Sequence, residues 1–181
     1  MGTYGSGLSR LDPGAERFVR YTNDPQDPAS LADNSVQCVL GDSAGRIWVG
    51  LDGSGLDRLD PATGINSSRA TGDFLGAAVP TGHGEWLLAR RHQISRLDWR
   101  TGRMEDLVKL DGPVERLRFN DGKCDPQGRF CVGTMHRDAL PGAAAFYQYG
   151  NRRLERRLDG VTIWRLSADD RPLARVEAPI S

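Results

Sequence analysis

The sequence predicts an all-β fold of repeated four-stranded antiparallel blades, and three observations support this prediction. The 181 residues include 22 glycines and 10 prolines, which divide the chain into short apolar stretches typical of strands and tight turns. A turn-and-strand motif, Asp-x-x-Gly-Arg followed by apolar residues and Val-Gly, occurs at residues 42–50 and again at residues 125–133. A second motif, an apolar residue followed by x-Arg-Leu-Asp, recurs about every 40–50 residues, which is the period of a propeller blade. The predicted architecture is a β-propeller with about four to five blades represented, whose ring is closed, incomplete or open.

These motifs predict where each strand lies. In the turn motif, the glycine can adopt a positive φ and the aspartate can cap the turn, so a strand begins just after the arginine. Two Asp-Pro steps, at residues 24–25 and 27–28, disfavour a helix and predict a loop after the first strands. The expected elements are a partial blade at residues 8–12 and 17–21, complete blades at residues 36–70, 74–109 and 115–158, and a last strand pair within residues 161–179.

We expect one propeller domain over residues 1–181, with three segments of different character. These are residues 1–70, residues 71–163 and a terminal strand pair at residues 164–181.

Composition and charge exclude several classes of partner. The chain has 24 basic and 24 acidic residues, whereas a nucleic-acid partner would favour a clear basic excess. No apolar run reaches the roughly 18 residues of a membrane-spanning helix, and the first residues lack the basic and apolar regions of a signal peptide. We therefore expect neither a nucleic-acid nor a membrane partner, and a cytoplasmic location. Three cysteines without a Cys-x-x-Cys pair fit small apolar strand residues in a reducing compartment.

Arg118 and Asn120 are the first candidates for a binding site. They are two residues apart in a predicted inner strand, so both side chains would point to one face, which in a propeller borders the central channel. Arginine offers a planar fork of donors, and asparagine offers both a donor and an acceptor. The pair could bind a polar ligand or only line a wet channel. Asp121 is a further candidate, with a turn or buried cap as the alternative role.

Residues 1–64 resemble the two-component regulator propeller repeats. The resemblance rests on four segments: the Asn-Asp-Pro loop from residue 23, Asn-Ser-Val at residues 34–36, the Asp-x-x-Gly-Arg-Ile-Trp-Val-Gly segment at residues 42–50, and Gly-Leu-x-Arg-Leu-Asp-Pro at residues 55–61. It implies a role in ligand sensing or scaffolding and carries no catalytic residues. By this resemblance the location would be periplasmic.

Residues from about 74 to 181 resemble the gluconolactonase family, also called the senescence marker protein or regucalcin-like family. The signature is Arg-Phe-Asn-Asp-Gly-Lys at residues 118–123, continued by Gly-Thr-Met at residues 133–135. The resemblance implies a six-bladed propeller that hydrolyses sugar lactones with a divalent cation, often calcium, with zinc or manganese as alternatives. It implies that Arg118 and Asn120 bind the substrate, that Asn120 and Asp121 contact the metal, and that Asp138 lies in a loop over the site.

The sequence departs from this family at its metal ligands. The family places an asparagine ligand just after the Thr-Ile step, where this chain has Trp164. The N-terminal glutamate and the later aspartate also have no counterpart. We therefore predict a gluconolactonase-like, metal-dependent hydrolase of sugar lactones, in either an active or a degenerate form. The alternatives are a non-catalytic binding or sensor module, and a truncated product without a selected function, which would form oligomers if its ring is incomplete.

Overall fold

The structure is a computed structural model that describes residues 1–12, 14, 16–82, 84–166 and 172–175. The chain separates into two compact units, Met1–Leu75 and Gly76–Ser181. All regular secondary structure in the described residues is β-strand, with antiparallel pairing. Consequently, none of the described residues forms a helix long and apolar enough to cross a membrane.

The first unit contains a two-stranded sheet and a four-stranded blade. In the two-stranded sheet, β1 (Leu8–Asp12) pairs with β2 (Arg17–Tyr21). The blade has the simple up-and-down order β3 (Val36–Gly41), β4 (Ile47–Leu51), β5 (Gly55–Leu59) and β6 (Asn66–Arg69). Apolar residues from the sheet, the loop and the blade form one buried cluster, which comprises Leu8, Leu31, Val49, Leu51 and Leu59.

The aspartate of the repeated turn motif makes the same hydrogen bonds in both copies. Oδ1 of Asp42 accepts from the backbone N–H groups of Ala44 and Arg46, at 2.9 and 3.0 Å. Oδ1 of Asp125 accepts from the residues two and four positions further on, at 3.0 and 2.9 Å. Burial favours a higher pKa for Asp42, but hydrogen bonds from Trp48 and Arg46 outweigh it and hold the pKa at about 2. The repeat in the sequence is therefore a repeat of turn structure.

The second unit contains a four-stranded blade and a six-stranded sheet. The blade is β7 (Leu75–Pro80), β8 (Glu85–Arg90), β9 (Gln93–Asp98) and β10 (Met104–Lys109). The larger sheet contains β11 (Leu117–Cys124), β12 (Phe130–His136), β13 (Ala144–Gly150), β14 (Arg153–Val161), β15 (Ile163–Leu166) and β16 (Pro172–Arg175). β12 lies between β11 and β13, and β15 joins its end through the pair Met135 and Ile163.

The core of the second unit joins its two sheets. Phe119 of β11 is fully buried, and its ring packs edge-on against Tyr147 of β13, with ring centroids 6.2 Å apart. Ala89 and Ile94 of the four-stranded blade lie in the same cluster. The face of β11 that carries Phe119 therefore packs into the core of the second unit.

The predicted all-β fold of four-stranded antiparallel blades is confirmed, and the predicted strand pairs agree with those observed. The two partial elements and three blades expected from the sequence correspond to β1–β2, β3–β6, β7–β10, β11–β14 and β15–β16. The last pair differs from expectation in its connection, because β15 extends the sheet of β12. Residues 167–171 and 176–179 of the predicted tail lie outside the described residues.

Candidate functional site

The candidate site lies on the hairpin formed by β11 and β12. Asp125 and Gly128 build the turn, and Gly128 has a φ of 76°, which favours glycine. β11 is an edge strand of its sheet, with β12 as its ladder partner. Because an edge strand has one side free of a ladder, its residues can be held by other elements or face a ligand.

A β-bulge at Asn120 determines which side chains share a face. Phe119 pairs with Thr134 and Asp121 pairs with Gly133, so Asn120 is the extra residue. Residues directly opposite each other in an antiparallel ladder point to the same face, and a bulge shifts the alternation by one residue. Asp121 therefore lies on the face of Arg118, which pairs with Met135. In a regular strand it would point the other way.

Two of the three polar side chains are joined by a hydrogen bond, and the third is bonded to the backbone next to it. Arg118 Nη1 donates to Asn120 Oδ1 at 3.1 Å and to the carbonyl oxygen of Phe119 at 3.2 Å. Oδ1 of Asp121 accepts from the backbone N–H of Gly122 at 2.8 Å. All three side chains are half-buried. The arrangement combines a guanidinium, an amide and a carboxylate within four consecutive residues, which can bind a ligand rich in hydroxyl and carbonyl groups.

Gly122 is the residue that could have indicated the bulge from the sequence. A glycine inside a strand pattern often marks a bulge or a close approach. Here a Cβ on Gly122 would lie 2.8 Å from Cε2 of Phe130 and 3.0 Å from the carbonyl oxygen of Cys131. The glycine thus allows β11 to pack closely against β12 just after the bulge.

Asp138, predicted to lie in a loop over the site, is held by another residue. Its Oδ2 accepts from Arg116 Nη1 at 2.5 Å, and its backbone N–H donates to Nδ1 of His136 at 3.1 Å. Because Nδ1 of His136 accepts this bond, the proton of the neutral ring is on Nε2. The structure therefore links Asp138 to Arg116, the residue just before β11, and its place in a loop over the site stays a prediction.

Among the described residues, no cluster of His, Cys, Asp or Glu completes a divalent-cation site at Asn120 and Asp121. No group of three or more His, Cys, Asp or Glu side chains occurs in the described part of the chain in an arrangement that could hold a metal ion. The Oδ1 of Asn120 already accepts from the positively charged Arg118, which disfavours a second positive charge at that oxygen. Calcium, for comparison, takes about six to eight oxygen ligands.

The positions of the three cysteines agree with the prediction that they are strand residues. Cys38, Cys124 and Cys131 are all free thiols in strands. Burial raises the pKa of the Cys131 thiol, and the negative charge of Asp125 acts in the same direction. Cys131 also lies on the sheet face opposite to His136, because the two are five residues apart in β12. The pair is therefore not a nucleophile and its base.

The sequence matches one protein family over most of its length. A sequence model described as the SMP-30/gluconolactonase/LRE-like region matches residues 37–165. Regucalcin of Xenopus laevis is 33% identical over 95 residues, which covers 52% of this chain and 32% of the relative. A 6-deoxy-6-sulfogluconolactonase of Pseudomonas putida is 35% identical over 88 residues, which covers 49% of this chain and 30% of the relative. The match begins within the first blade of four strands, earlier than residue 74.

Solved structures show the same fold. A regucalcin of Agrobacterium tumefaciens, described as a calcium-binding protein, superposes with a TM-score of 0.67 at 21% identity, covering 94% of this chain and 54% of the other. The extracellular domain of a protein assigned as a hybrid two-component system of B. thetaiotaomicron superposes with a TM-score of 0.66 at 17% identity. It covers 99% of this chain and 27% of the other. Both of the predicted resemblances thus have counterparts among structures of this fold.

The similarity to the curated relatives covers only part of their length. The chain spans about a third of the length of the curated relatives it matches. The family match runs from within β3 into β15 and includes all of the candidate site on β11 and β12. The chain belongs to the SMP-30/gluconolactonase/LRE-like family.

Proposed function

We propose that this chain carries the substrate-binding part of a sugar-lactone hydrolase, and that Arg118, Asn120 and Asp121 bind the lactone. The observation that carries the proposal is the β-bulge at Asn120, because it puts a guanidinium and a carboxylate on one face with an amide between them. Family membership supports the substrate class, since the Pseudomonas relative is named for a lactonase activity on a sugar acid lactone.

The reaction would add water to the lactone carbonyl carbon. The ring C–O bond then breaks, the ring oxygen takes a proton, and the product is a hydroxy acid. Arg118 can donate to the carbonyl oxygen as negative charge develops there, which is the kind of interaction that stabilises acyl-transfer transition states. Asn120 can orient a hydroxyl as donor or acceptor, and Asp121 can accept from a hydroxyl or from water.

We assign no step to a metal ion. The Agrobacterium relative is described as calcium-binding, which supports testing calcium, zinc and manganese on this chain. An ion at Asn120 and Asp121, the two predicted contacts, would need further oxygen ligands. Among the described residues these two supply too few oxygen ligands for it, so we expect no calcium binding at micromolar strength.

A non-catalytic binding module is the second candidate function. The hydrogen bond from Arg118 to Asn120 Oδ1 favours it, because this bond holds the two polar side chains together without a cation. Such a module would bind the open hydroxy acid or the lactone and leave both unchanged. The two functions are therefore separated by measuring binding and turnover on the same protein.

Replacement of Arg118 by alanine tests the proposed function. Acid release from D-glucono-1,5-lactone is measured with wild type and Arg118→Ala, in buffer with a chelator and with each of the three metal ions. We expect turnover by wild type above the buffer rate, and a loss of about 10- to 100-fold in the variant, since a hydrogen bond to a charged group contributes about 1.5–3 kcal/mol. The exposed Arg103 provides the control, and Arg103→Ala should keep the wild-type rate.

The outcomes separate the candidates. No turnover above buffer with any metal ion would contradict the hydrolase. Calorimetric binding of D-gluconate by wild type, lost in Arg118→Ala, would then establish the binding module. Calcium binding at micromolar strength would show that the metal site includes ligands other than those described here.

A further inference from the structure

The free side of β11 is held by the turn between β8 and β9. Nε2 of His92 lies 2.8 Å from the carbonyl oxygen of Leu117. The backbone N–H of Phe119 donates to the carbonyl oxygen of Arg91 at 2.8 Å. Because a carbonyl oxygen only accepts, Nε2 of His92 carries the hydrogen. These two bonds fix the peptide groups on both sides of Arg118.

Gly76 of β7 lies close against the next peptide group. A Cβ on Gly76 would lie 2.6 Å from the carbonyl oxygen of Phe119 and 3.2 Å from the backbone nitrogen of Asn120. These atoms belong to the backbone of the bulge, so no side-chain rotation could relieve the contact. The close approach of β7 thus sets the position of the bulge that defines the site.

We propose that His92 and Gly76 are positioning residues for Arg118 and Asn120, an inference that rests on the proposed function. His92 holds the strand just before Arg118, and Gly76 lets the bulge at Asn120 lie directly against β7. Neither residue needs to touch the ligand. Their effect follows from geometry, since a displacement of about 1 Å in a binding group can cost as much as 100-fold in rate.

Two substitutions of His92 separate a positioning role from a merely structural one. Glutamine can place an amide N–H where Nε2–H of histidine lies, so His92→Gln should keep the bond to Leu117. Leucine fills a similar volume but has no donor, so His92→Leu should lose the bond. We expect His92→Leu to weaken D-gluconate binding by about tenfold or more, and His92→Gln to remain within about threefold of wild type.

Gly76→Ala tests the second contact and has a matched control in Gly50→Ala. A Cβ on Gly50 would lie 2.3 Å from Sγ of Cys38, so both substitutions create a clash inside a strand. The Gly50 clash involves a side chain in the first unit. We expect both variants to lower the melting temperature, but only Gly76→Ala to weaken binding. If Gly76→Ala fails to fold, the His92 variants still provide the test.

An NMR readout distinguishes failure of this inference from failure of the proposed function. The Nε–Hε signal of Arg118, assigned by its loss in Arg118→Lys, reports the surroundings of this side chain without any ligand. It should move in His92→Leu and return towards the wild-type position in His92→Gln. An unchanged signal and unchanged binding in His92→Leu would overturn the inference. A moved signal in a protein that neither binds nor hydrolyses the ligand would instead overturn only the proposed function.

Discussion

At the scale of the residue, Asp57 shows how burial and hydrogen bonding compete at one carboxylate. Its side chain is completely buried in the first unit. Oδ2 accepts from the backbone N–H of Ala32 and from Nδ2 of Asn66, both at 2.8 Å. Burial raises the pKa of Asp57, and hydrogen bonds from Ser68, Ala32 and Asn66 offset this only in part. Asp57 thus links the loop before β3 to β5 and β6 at the cost of burying a charge.

The raised pKa predicts how stability depends on pH. The folded protein keeps the proton of Asp57 at pH values where the unfolded chain has lost it, so stability falls as pH rises from about 4 through the folded pKa. Asp57→Asn keeps an acceptor for both donors and removes the charge, so it should abolish this fall in stability with pH and be at least as stable as wild type at pH 7. Asp57→Ala leaves both donors buried without an acceptor and should cost about 2–4 kcal/mol. Urea unfolding between pH 4 and pH 8 measures both effects.

A different result would identify a different role for Asp57. If Asp57→Asn were as unstable as Asp57→Ala, the charge itself would be required for the fold. If both variants matched wild type, the bonds to Ala32 and Asn66 would contribute nothing measurable.

At the scale of the element, local chemistry explains what the sequence could predict. The strands of the blades follow turns built by Asp42 and Asp125, whose hydrogen bonds from backbone N–H groups stay within four residues. The candidate Arg118 and Asn120 could be named from their motif. The face of Asp121, the approach of Gly76 and the joining of β15 to β12 involve residues distant in the chain. A bulge shifts the alternation of side chains between the two faces of a strand, and the sequence pattern does not show where it occurs. Contacts between residues distant in the chain are likewise seen only in the structure.

The repeated turn predicts the cost of replacing its glycine. Gly45 and Gly128 have φ values of 79° and 76°, and neither would bring a Cβ within 4 Å of another atom. Alanine at either position should therefore cost only backbone strain, about 1–2 kcal/mol. Gly41 in β3 also has open space but no positive φ, so Gly41→Ala is the matched control and should be neutral or slightly stabilising. Chemical unfolding of the three variants makes the comparison, and equal costs at all three positions would contradict the role of the turn.

At the scale of the whole molecule, the net charge and the exposed apolar surface both favour association between molecules. The formal net charge is zero and the isoelectric point is about 6.8, so little electrostatic repulsion opposes association near neutral pH. Most of the exposed large apolar side chains that the structure describes lie in the first unit. Leu11 and Phe18 are directly opposite each other on β1 and β2 and are 53% and 65% exposed. They form a continuous apolar contact surface on a short sheet.

This surface predicts self-association that depends on Phe18. Sedimentation at pH 6.8 should show a mass that rises with protein concentration. Phe18→Thr keeps a residue that favours strands but removes the ring, so it should weaken association by about tenfold or more, because burying such a side chain contributes about 1.5–3 kcal/mol. Leu140 is 49% exposed in the second unit, and Leu140→Thr is the matched control that should associate like wild type. An equal effect of both substitutions would assign the association to general hydrophobicity, and a wild type that stays monomeric would show that the pair at Leu11 and Phe18 is too small to hold two molecules together.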